Sequence, residues 1–182
     1  MKKEEPFEKC PQYQNEHFLI RKMEKEDAGA LFLCYSDKEA AKFFNGDACG
    51  DNFYYTDYVK FLDCMKFWKS RYEVRDFVRF SIIDIVLQEA IGMVEICPTK
   101  KYSVDEKWIG ILRIDLKSEY EWAYEEILQC ILPSIYEDFG VDAVLTKAQK
   151  YAEHRRQILK NHQFVFAMDE CNISYNDYYI RY

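Results

Sequence analysis

The spacing of apolar residues changes several times along the chain, and each change predicts a different secondary structure. Dense runs of branched and aromatic residues predict strands at 18–23, 77–84, 89–96, 108–116, 141–147 and 164–168, and an alternating tail at 174–182 is expected to pair at the end of the sheet. Apolar residues three and four positions apart predict helices at 25–35, 54–73, 119–139 and 151–162. Asp37 is expected to open a further short helix as its N-cap, and Pro133 to kink or break the helix at 119–139.

The order of these elements predicts a single α+β domain built on a mixed sheet. A helix separates strands 108–116 and 141–147, which predicts a parallel crossover between them. No repeat, linker or low-complexity segment divides the chain. We therefore expect one domain over residues 17–182, preceded by an N-terminal extension at 1–16.

Composition and charge narrow the function classes. An apolar share of 49% beside a charged share of 31% is typical of a folded soluble protein. The net charge of −7 disfavours nucleic acid and an anionic membrane surface as partners. The N-terminal residues lack the apolar core of a signal peptide, and no apolar run is long enough to span a membrane. We therefore expect a cytoplasmic protein.

The cysteines and histidines indicate neither a disulfide framework nor a metal site. The 7 cysteines are odd in number and show no C-x-x-C spacing. The 3 histidines do not lie at ligand spacing beside them. Free thiols in a reducing compartment are the expectation.

Residues 108–128, WIGILRIDLKSEYEWAYEEIL, run from a predicted strand directly into a predicted helix. The unpaired N–H groups at such a helix start can bind an anion, usually with glycines in the loop. This junction contains no glycine and two acids, Glu119 and Glu121. Ser118 and Glu121 also match the capping box, in which each side chain bonds to the other residue's backbone N–H. The stretch is therefore either an anion loop without its glycines or a self-capped helix start.

Four stretches resemble segments of the GCN5-related N-acetyltransferase (GNAT) superfamily, particularly the branch of ribosomal-protein alanine acetyltransferases. They are FLIRKMEKEDAGALFLCYSDKEAAKFF, FSIIDIVLQEAIGMVEI, ILKNHQFV and NDYYIRY, and their order and spacing follow that branch over residues 17–182. The resemblance implies a mostly antiparallel mixed sheet flanked by helices. It also implies a V-shaped splay between strands 108–116 and 141–147.

In that family the splay holds acetyl-CoA, and the pyrophosphate lies on a loop of pattern Gln/Arg-x-x-Gly-x-Gly/Ala. By this resemblance Ser118 falls at the Gln/Arg position, and Glu119 and Glu121 replace the two glycines. The implied cofactor-binding residues are Arg113, Ile114, Leu116, Ser118, Glu119, Tyr120, Glu121, Trp122 and Arg155.

The predicted last helix also departs from the family pattern. Ala152 stands where relatives have asparagine, Arg155 where they have serine or alanine, and Gln163 where they have glycine. Leu159 takes the place of a tyrosine that many relatives use as general acid.

The resemblance implies transfer of an acetyl group from acetyl-CoA to a primary amine, in a small molecule or at a peptide N-terminus. This reaction needs a base for the ammonium proton and donors for the thioester oxyanion. Glu95, an acid at the end of an apolar strand, is the candidate catalytic base, with Asp115 and Tyr120 as alternatives. Cys97 has no neighbouring histidine and is expected to be an inert thiol.

Two hypotheses stay open. The first is an acetyl-CoA-dependent N-acetyltransferase, favoured by the order of elements and the family-like stretches. The second is a protein of the same fold that has lost or altered CoA binding and acts as a non-catalytic binding module. The residues that depart from the family pattern favour the second: Glu119, Glu121, Ala152, Arg155 and Gln163. A diphosphate bound at this turn would meet the like charges of Glu119 and Glu121. At 4 Å, repulsion between one such pair of charges costs about 1 kcal/mol in water and about 4 kcal/mol at an effective dielectric near 20.

Overall fold

A computed structural model describes residues 5–167 and 170–182. Within them one sheet has 8 strands in the order β1-β2-β3-β4-β5-β6-β8-β7. The strands are β1 (Tyr13–Gln14), β2 (Phe18–Lys22), β3 (Val78–Asp84), β4 (Glu89–Thr99), β5 (Ile109–Leu116), β6 (Ala143–Lys147), β7 (Val165–Phe166) and β8 (Tyr178–Arg181). The α-helices are α1 (Ala28–Tyr35), α2 (Lys38–Ala41), α3 (Tyr58–Glu73), α4 (Tyr124–Phe139) and α5 (Glu153–Asn161). Short 3₁₀ helices at Lys25–Asp27 and Ser118–Ala123 precede α1 and α4.

The pairing of the strands confirms the predicted mixed α+β fold. Among the described strands, only β5 and β6 pair in parallel, and α4 makes the crossover between them. Helices α1 to α3 cover one face of the sheet, and α4 and α5 cover the other. None of the helices in the described ranges is long and apolar enough to cross a membrane.

Each face of the sheet packs against an apolar layer with the expected periodicity. On one side α4 presents Ile127, Ile131 and Ile135, one helical turn apart and fully buried, to the sheet. On the other side the rings of Tyr35, Phe61 and Trp68 pack with centroids 5.4 to 6.1 Å apart. This aromatic cluster joins α1 to α3 and brings the Tyr35 hydroxyl down onto the sheet.

Several details differ from the prediction. Residues 118–123 form a 3₁₀ turn before α4, and α4 then continues through Pro133 without a break. The predicted tail supplies β8, which lies between β6 and β7 instead of at the end of the sheet. The strand predicted at 164–168 comprises Val165–Phe166, and position 168 lies outside the described residues. Strand β1, which pairs with β2, lies within the predicted extension.

The parallel strands β5 and β6 separate after four residue pairs. Their register runs from Ile109 opposite Ala143 to Leu112 opposite Thr146, and β5 then continues to Leu116 without β6 beside it. This divergence is the predicted splay, and it creates a gap in the middle of the sheet.

Candidate functional site

A row of alternating charges crosses the three central strands beside this gap. The strand register places Glu95 of β4 opposite both Arg79 of β3 and Arg113 of β5. Arg113 Nη1 donates to Glu95 Oε1, and Arg79 Nε lies 2.7 Å from Glu95 Oε2 in an ionic contact that lacks the alignment of a hydrogen bond. The side chains of Arg79 and Glu95 are each 2% exposed. Glu95 is therefore a buried carboxylate held between two guanidinium groups.

Tyr35 and Asp115 extend this network towards α1. The Tyr35 hydroxyl donates to Asp115 Oδ2 at 2.7 Å and accepts from Arg79 Nη1 at 2.9 Å. Burial raises the pKa of the Asp115 carboxyl, and Arg79 and Tyr35 only partly offset that effect. Burial also raises the pKa of Tyr35 well above its usual value, so this hydroxyl stays protonated and donates.

A cavity of about 280 Å³ opens directly on the charged row. A larger cavity of about 450 Å³ lies away from this row, at the C-terminal end of α4. The aromatic lining of the 280 Å³ cavity comprises Phe53, Phe67, Trp68 and Phe77, and its polar lining comprises Asp51, Arg71, Asp76, Arg79, Glu95 and Arg113 together with Cys49 and Cys64. The Arg79 guanidinium lies 4.1 Å from the centre of the Trp68 ring. The 280 Å³ cavity thus combines aromatic walls with both signs of charge.

The other candidates for acid–base or nucleophilic chemistry are placed less favourably. Asp115 lies behind the charged row and is bonded to Tyr35. The Tyr120 hydroxyl donates to Asp84, at the β3–β4 hairpin, at 3.2 Å. Burial raises the pKa of the Cys97 thiol to about 12, so it is protonated at neutral pH and unsuited to act as a nucleophile.

Arg155 of α5 fills the gap between β5 and β6. Its side chain is 3% exposed, and Nη1 donates to the carbonyl oxygen of Ile114 at 3.0 Å. Nε and Nη2 donate hydrogen bonds to Oε1 and Oε2 of Glu121 at 2.5 and 2.7 Å. The guanidinium also lies 4.4 Å from the ring centre of Tyr124 and 5.2 Å from that of Phe43. The cavity left in the gap is only about 10 Å³.

The turn after β5 is capped by a residue from another part of the chain. The predicted capping box is wrong, because the N-cap residue of the 3₁₀ helix at 118–123 is Lys117, whose side chain makes no cap, and Glu121 turns to Arg155 instead. The N–H of Ser118 donates to Asp37 Oδ2 at 2.9 Å. Asp37 Oδ1 accepts from the N–H groups of Glu39 and Ala40, as predicted for the N-cap of α2. A carboxylate therefore already meets the first donor of the turn.

The predicted cofactor-binding residues divide into two groups. Four lie around the gap: Arg113, Ile114, Glu121 and Arg155. The others do not line it. Leu116 is buried in the core beneath α4, and Tyr120 is partly buried against that core. Ser118, Glu119 and Trp122 are exposed. Trp122 is 60% exposed and stacks on Tyr120.

The sequence alone did not single out Arg79, Tyr35, Phe43 or Tyr124. Arg79, Tyr35 and Tyr124 lie in elements that the apolar pattern places correctly, and Phe43 lies in the turn after α2. Nothing in the local sequence marks the partner of any of them. Arg79, an arginine inside an otherwise apolar strand, was the one available signal, since a charge there needs a buried partner.

Two of the residues that depart from the family pattern lie next to the two ends of α5. Ala152, in place of asparagine, is the N-cap residue of α5 and makes no side-chain cap. Gln163, in place of glycine, has φ of +65°, a left-handed conformation that glycine adopts at no steric cost.

Comparisons with known proteins agree on the fold. No protein-family model matches the chain, and no curated protein matches it. Among solved structures, the ribosomal L7/L12 α-N-protein acetyltransferase RimL, in complex with coenzyme A, is 11% identical with a TM-score of 0.68, over 92% of this chain and 94% of its own. The ribosomal-protein-S5-alanine acetyltransferase from Vibrio fischeri is 13% identical with a TM-score of 0.67, and the match covers 93% of this chain and 94% of that protein. A GNAT-family acetyltransferase from Bacillus anthracis is 17% identical with a TM-score of 0.63, and the match covers 94% of this chain and 98% of that protein.

These similarities define the class of fold. The chain has the GNAT fold, with its mostly antiparallel sheet and its splayed parallel pair, and it does so at identities too low to carry over any activity. The fold predicted from the sequence is confirmed.

A coenzyme A pantetheine chain does not fit the splay in the observed arrangement. The Arg155 guanidinium occupies the gap and already satisfies the Ile114 carbonyl. The remaining space of about 10 Å³ is barely enough for one water molecule. Admission of such a ligand therefore requires Arg155 to move.

Proposed function

We propose that this protein is an N-acetyltransferase that transfers an acetyl group from acetyl-CoA to a primary amine. The observation that supports it is that one residue, Arg113, borders two neighbouring spaces that could hold the donor and the acceptor. Arg113 of β5 borders both the gap between the diverging strands and the cavity beside the charged row. A transfer reaction needs donor and acceptor held side by side, and this junction is the place in the fold where they would meet.

The 280 Å³ cavity beside the charged row offers carboxylates that could contact a cationic acceptor. Its carboxylates are Asp51, Asp76 and Glu95, set among aromatic rings that suit the apolar part of an amine. Two of them are paired with arginines, which leaves a mixed rather than a strongly negative lining. A primary amine of a small molecule or of a peptide N-terminus is the acceptor class that this lining fits best.

Glu95 is the proposed base, and the backbone of Arg113 and Ile114 is the proposed contact for the thioester. The structure sets a condition on Glu95, because it must weaken its contact with Arg79 or Arg113 before it accepts a proton. An incoming ammonium group, itself a cation, would compete with those guanidiniums for the carboxylate.

A transfer assay tests the proposal. The purified protein is incubated with acetyl-CoA and a panel of acceptors, comprising peptides with free alanine or serine N-termini and small polyamines. Release of the CoA thiol and the mass of the acceptor are followed together. We expect enzyme-dependent acetylation of at least one acceptor. Its absence across the panel, at saturating acetyl-CoA and with no binding by calorimetry, would overturn the proposal.

The closed gap favours a second candidate, a binding module of the same fold that does not use CoA. Arg155, Glu121 and Asp37 occupy the positions and donors that a pantetheine diphosphate would need. In that case the 280 Å³ cavity would bind its ligand without acetyl transfer.

A further inference from the structure

The ion pair between Arg155 and Glu121 stands at the point where the proposed cofactor must enter. We infer that this pair is a latch, and that it determines whether the splay admits a ligand carrying a diphosphate. The inference rests on the proposed function for the identity of that ligand, acetyl-CoA, and it concerns the chain's own residues.

In the observed arrangement, with the gap filled, each nitrogen of the Arg155 guanidinium donates a hydrogen bond. Three of its nitrogens bond to Glu121 and Ile114, and its guanidinium lies against the rings of Tyr124 and Phe43. A guanidinium taken out of water is costly to leave unpaired. Arg155 will therefore leave Glu121 only when another anion replaces the carboxylate.

A diphosphate is such an anion. A guanidinium binds phosphate and carboxylate oxygens in the same two-pronged geometry. The Glu121 carboxylate thus holds the place of the ligand's anion, and exchange of one for the other would turn Arg155 from a plug of the gap into a phosphate contact.

The two side chains of the latch differ in their exposure to solvent. The Glu121 side chain is 21% exposed, against 3% for Arg155. Glu121 also lies in a 3₁₀ turn, whose hydrogen bonds have poorer geometry than those of an α-helix. Glu121 is therefore the side chain that turns outward as the diphosphate takes its place beside Arg155.

Two single variants separate a latch from an ordinary structural ion pair, because the latch predicts effects of opposite sign. Glu121→Gln removes the competing charge and frees Arg155 for the diphosphate, so the variant should bind acetyl-CoA about tenfold more tightly than the wild type. Arg155→Met keeps an unbranched side chain in the gap, removes the guanidinium that would contact the diphosphate and leaves Glu121 unpaired beside it, so this variant should bind more weakly than the wild type. Calorimetric titration with acetyl-CoA and with CoA measures both.

Glu125→Gln is the matched control, because Glu125 lies one turn further along, carries the same charge and bonds to His162 instead of Arg155. It should leave the affinity unchanged. The double variant Glu121→Gln/Arg155→Met, which removes the pair without changing net charge, covers the case in which a single variant does not fold. It should bind at least as tightly as the wild type.

The outcomes separate the latch from the proposed function. Opposite shifts for Glu121→Gln and Arg155→Met support the latch, even where the acetylation assay fails. Equal affinities in all variants, or shifts of the same sign in both, overturn the latch, even where the wild type acetylates an amine. No binding by any variant, including the double variant, overturns the latch and the CoA-dependent function together.

Discussion

The carboxylate of Asp37 accepts a hydrogen bond from the backbone N–H of Ser118 at 2.9 Å, although the two residues are 81 positions apart. The same carboxylate caps α2 through the N–H groups of Glu39 and Ala40. One side chain therefore ties the start of α2 to the turn that follows β5. Burial tends to raise the pKa of Asp37, but the hydrogen bonds from these donors together outweigh burial and lower the pKa below its usual value.

Replacement of Asp37 by alanine should cost more stability than the loss of an ordinary helix cap. Asp57, which caps only α3, is the matched control. A single N-cap contributes about 1 kcal/mol, so we expect about 1 kcal/mol for Asp57→Ala and about 2 kcal/mol for Asp37→Ala. Urea denaturation of both variants measures the difference, and equal losses would contradict a double cap.

Glu95 should be essential for stability because two buried arginines depend on it. Removal of one partner from a buried ion pair costs about 3–5 kcal/mol, so Glu95→Gln should lower the free energy of unfolding by that order. The double variant Glu95→Gln/Arg113→Met removes one of the stranded charges and should recover part of the loss. A Glu95→Gln protein as stable as the wild type would contradict the buried row of charges.

The same substitution tests the proposed base. Loss of a general base typically lowers the rate by about 10²–10⁴-fold, so folded Glu95→Gln should lose acetyl transfer to that extent at low temperature. Binding of acetyl-CoA, measured by calorimetry, should stay close to that of the wild type because Glu95 does not line the gap. A variant with nearly full activity would remove Glu95 from the mechanism.

Gly92 and Gly29 should respond to alanine with opposite signs. A Cβ on Gly92 would lie 2.1 Å from the carbonyl oxygen of Asp115, so β4 and β5 must move apart. Overpacking of this kind costs about 1–3 kcal/mol. Gly29, in α1, has nothing within 4 Å of its added Cβ, and alanine there should add roughly 0.5–1 kcal/mol. Thermal unfolding of the two variants compares them directly.

Asp27 should give the stability a defined dependence on acid. Burial tends to raise its pKa, but hydrogen bonds from Arg21, Ser81 and the N–H of Glu24 outweigh burial and lower it below the usual 3.8. A carboxyl with a lowered folded pKa stabilises fully above its unfolded pKa and loses that contribution as pH falls through the folded value. The stability gap between wild type and Asp27→Asn should therefore be constant above about pH 5 and narrow below about pH 4. A gap independent of pH would contradict the paired, charged state of Asp27.

The sequence determined the elements and their order. The apolar spacing of 89–96, 108–116 and the helix through Ile127 and Ile135 is strong enough to fix each element locally, because burial of one face of a strand or helix dominates its free energy. The N-cap role of Asp37 was also readable, because it depends on residues two and three positions away. The splay followed from the resemblance of these elements to the GNAT pattern.

The tertiary structure decided which charges meet. Glu121 had a local partner in Ser118, and the capping box was a sound expectation for an isolated helix. In the folded protein Glu121 pairs instead with Arg155, which is 34 positions away, because a buried guanidinium needs a carboxylate far more than a solvent-exposed helix start needs its cap. The row of Arg79, Glu95 and Arg113 likewise exists only once the register of three strands is set. Local apolar pattern therefore specified the scaffold, and long-range pairing of buried charges specified the site.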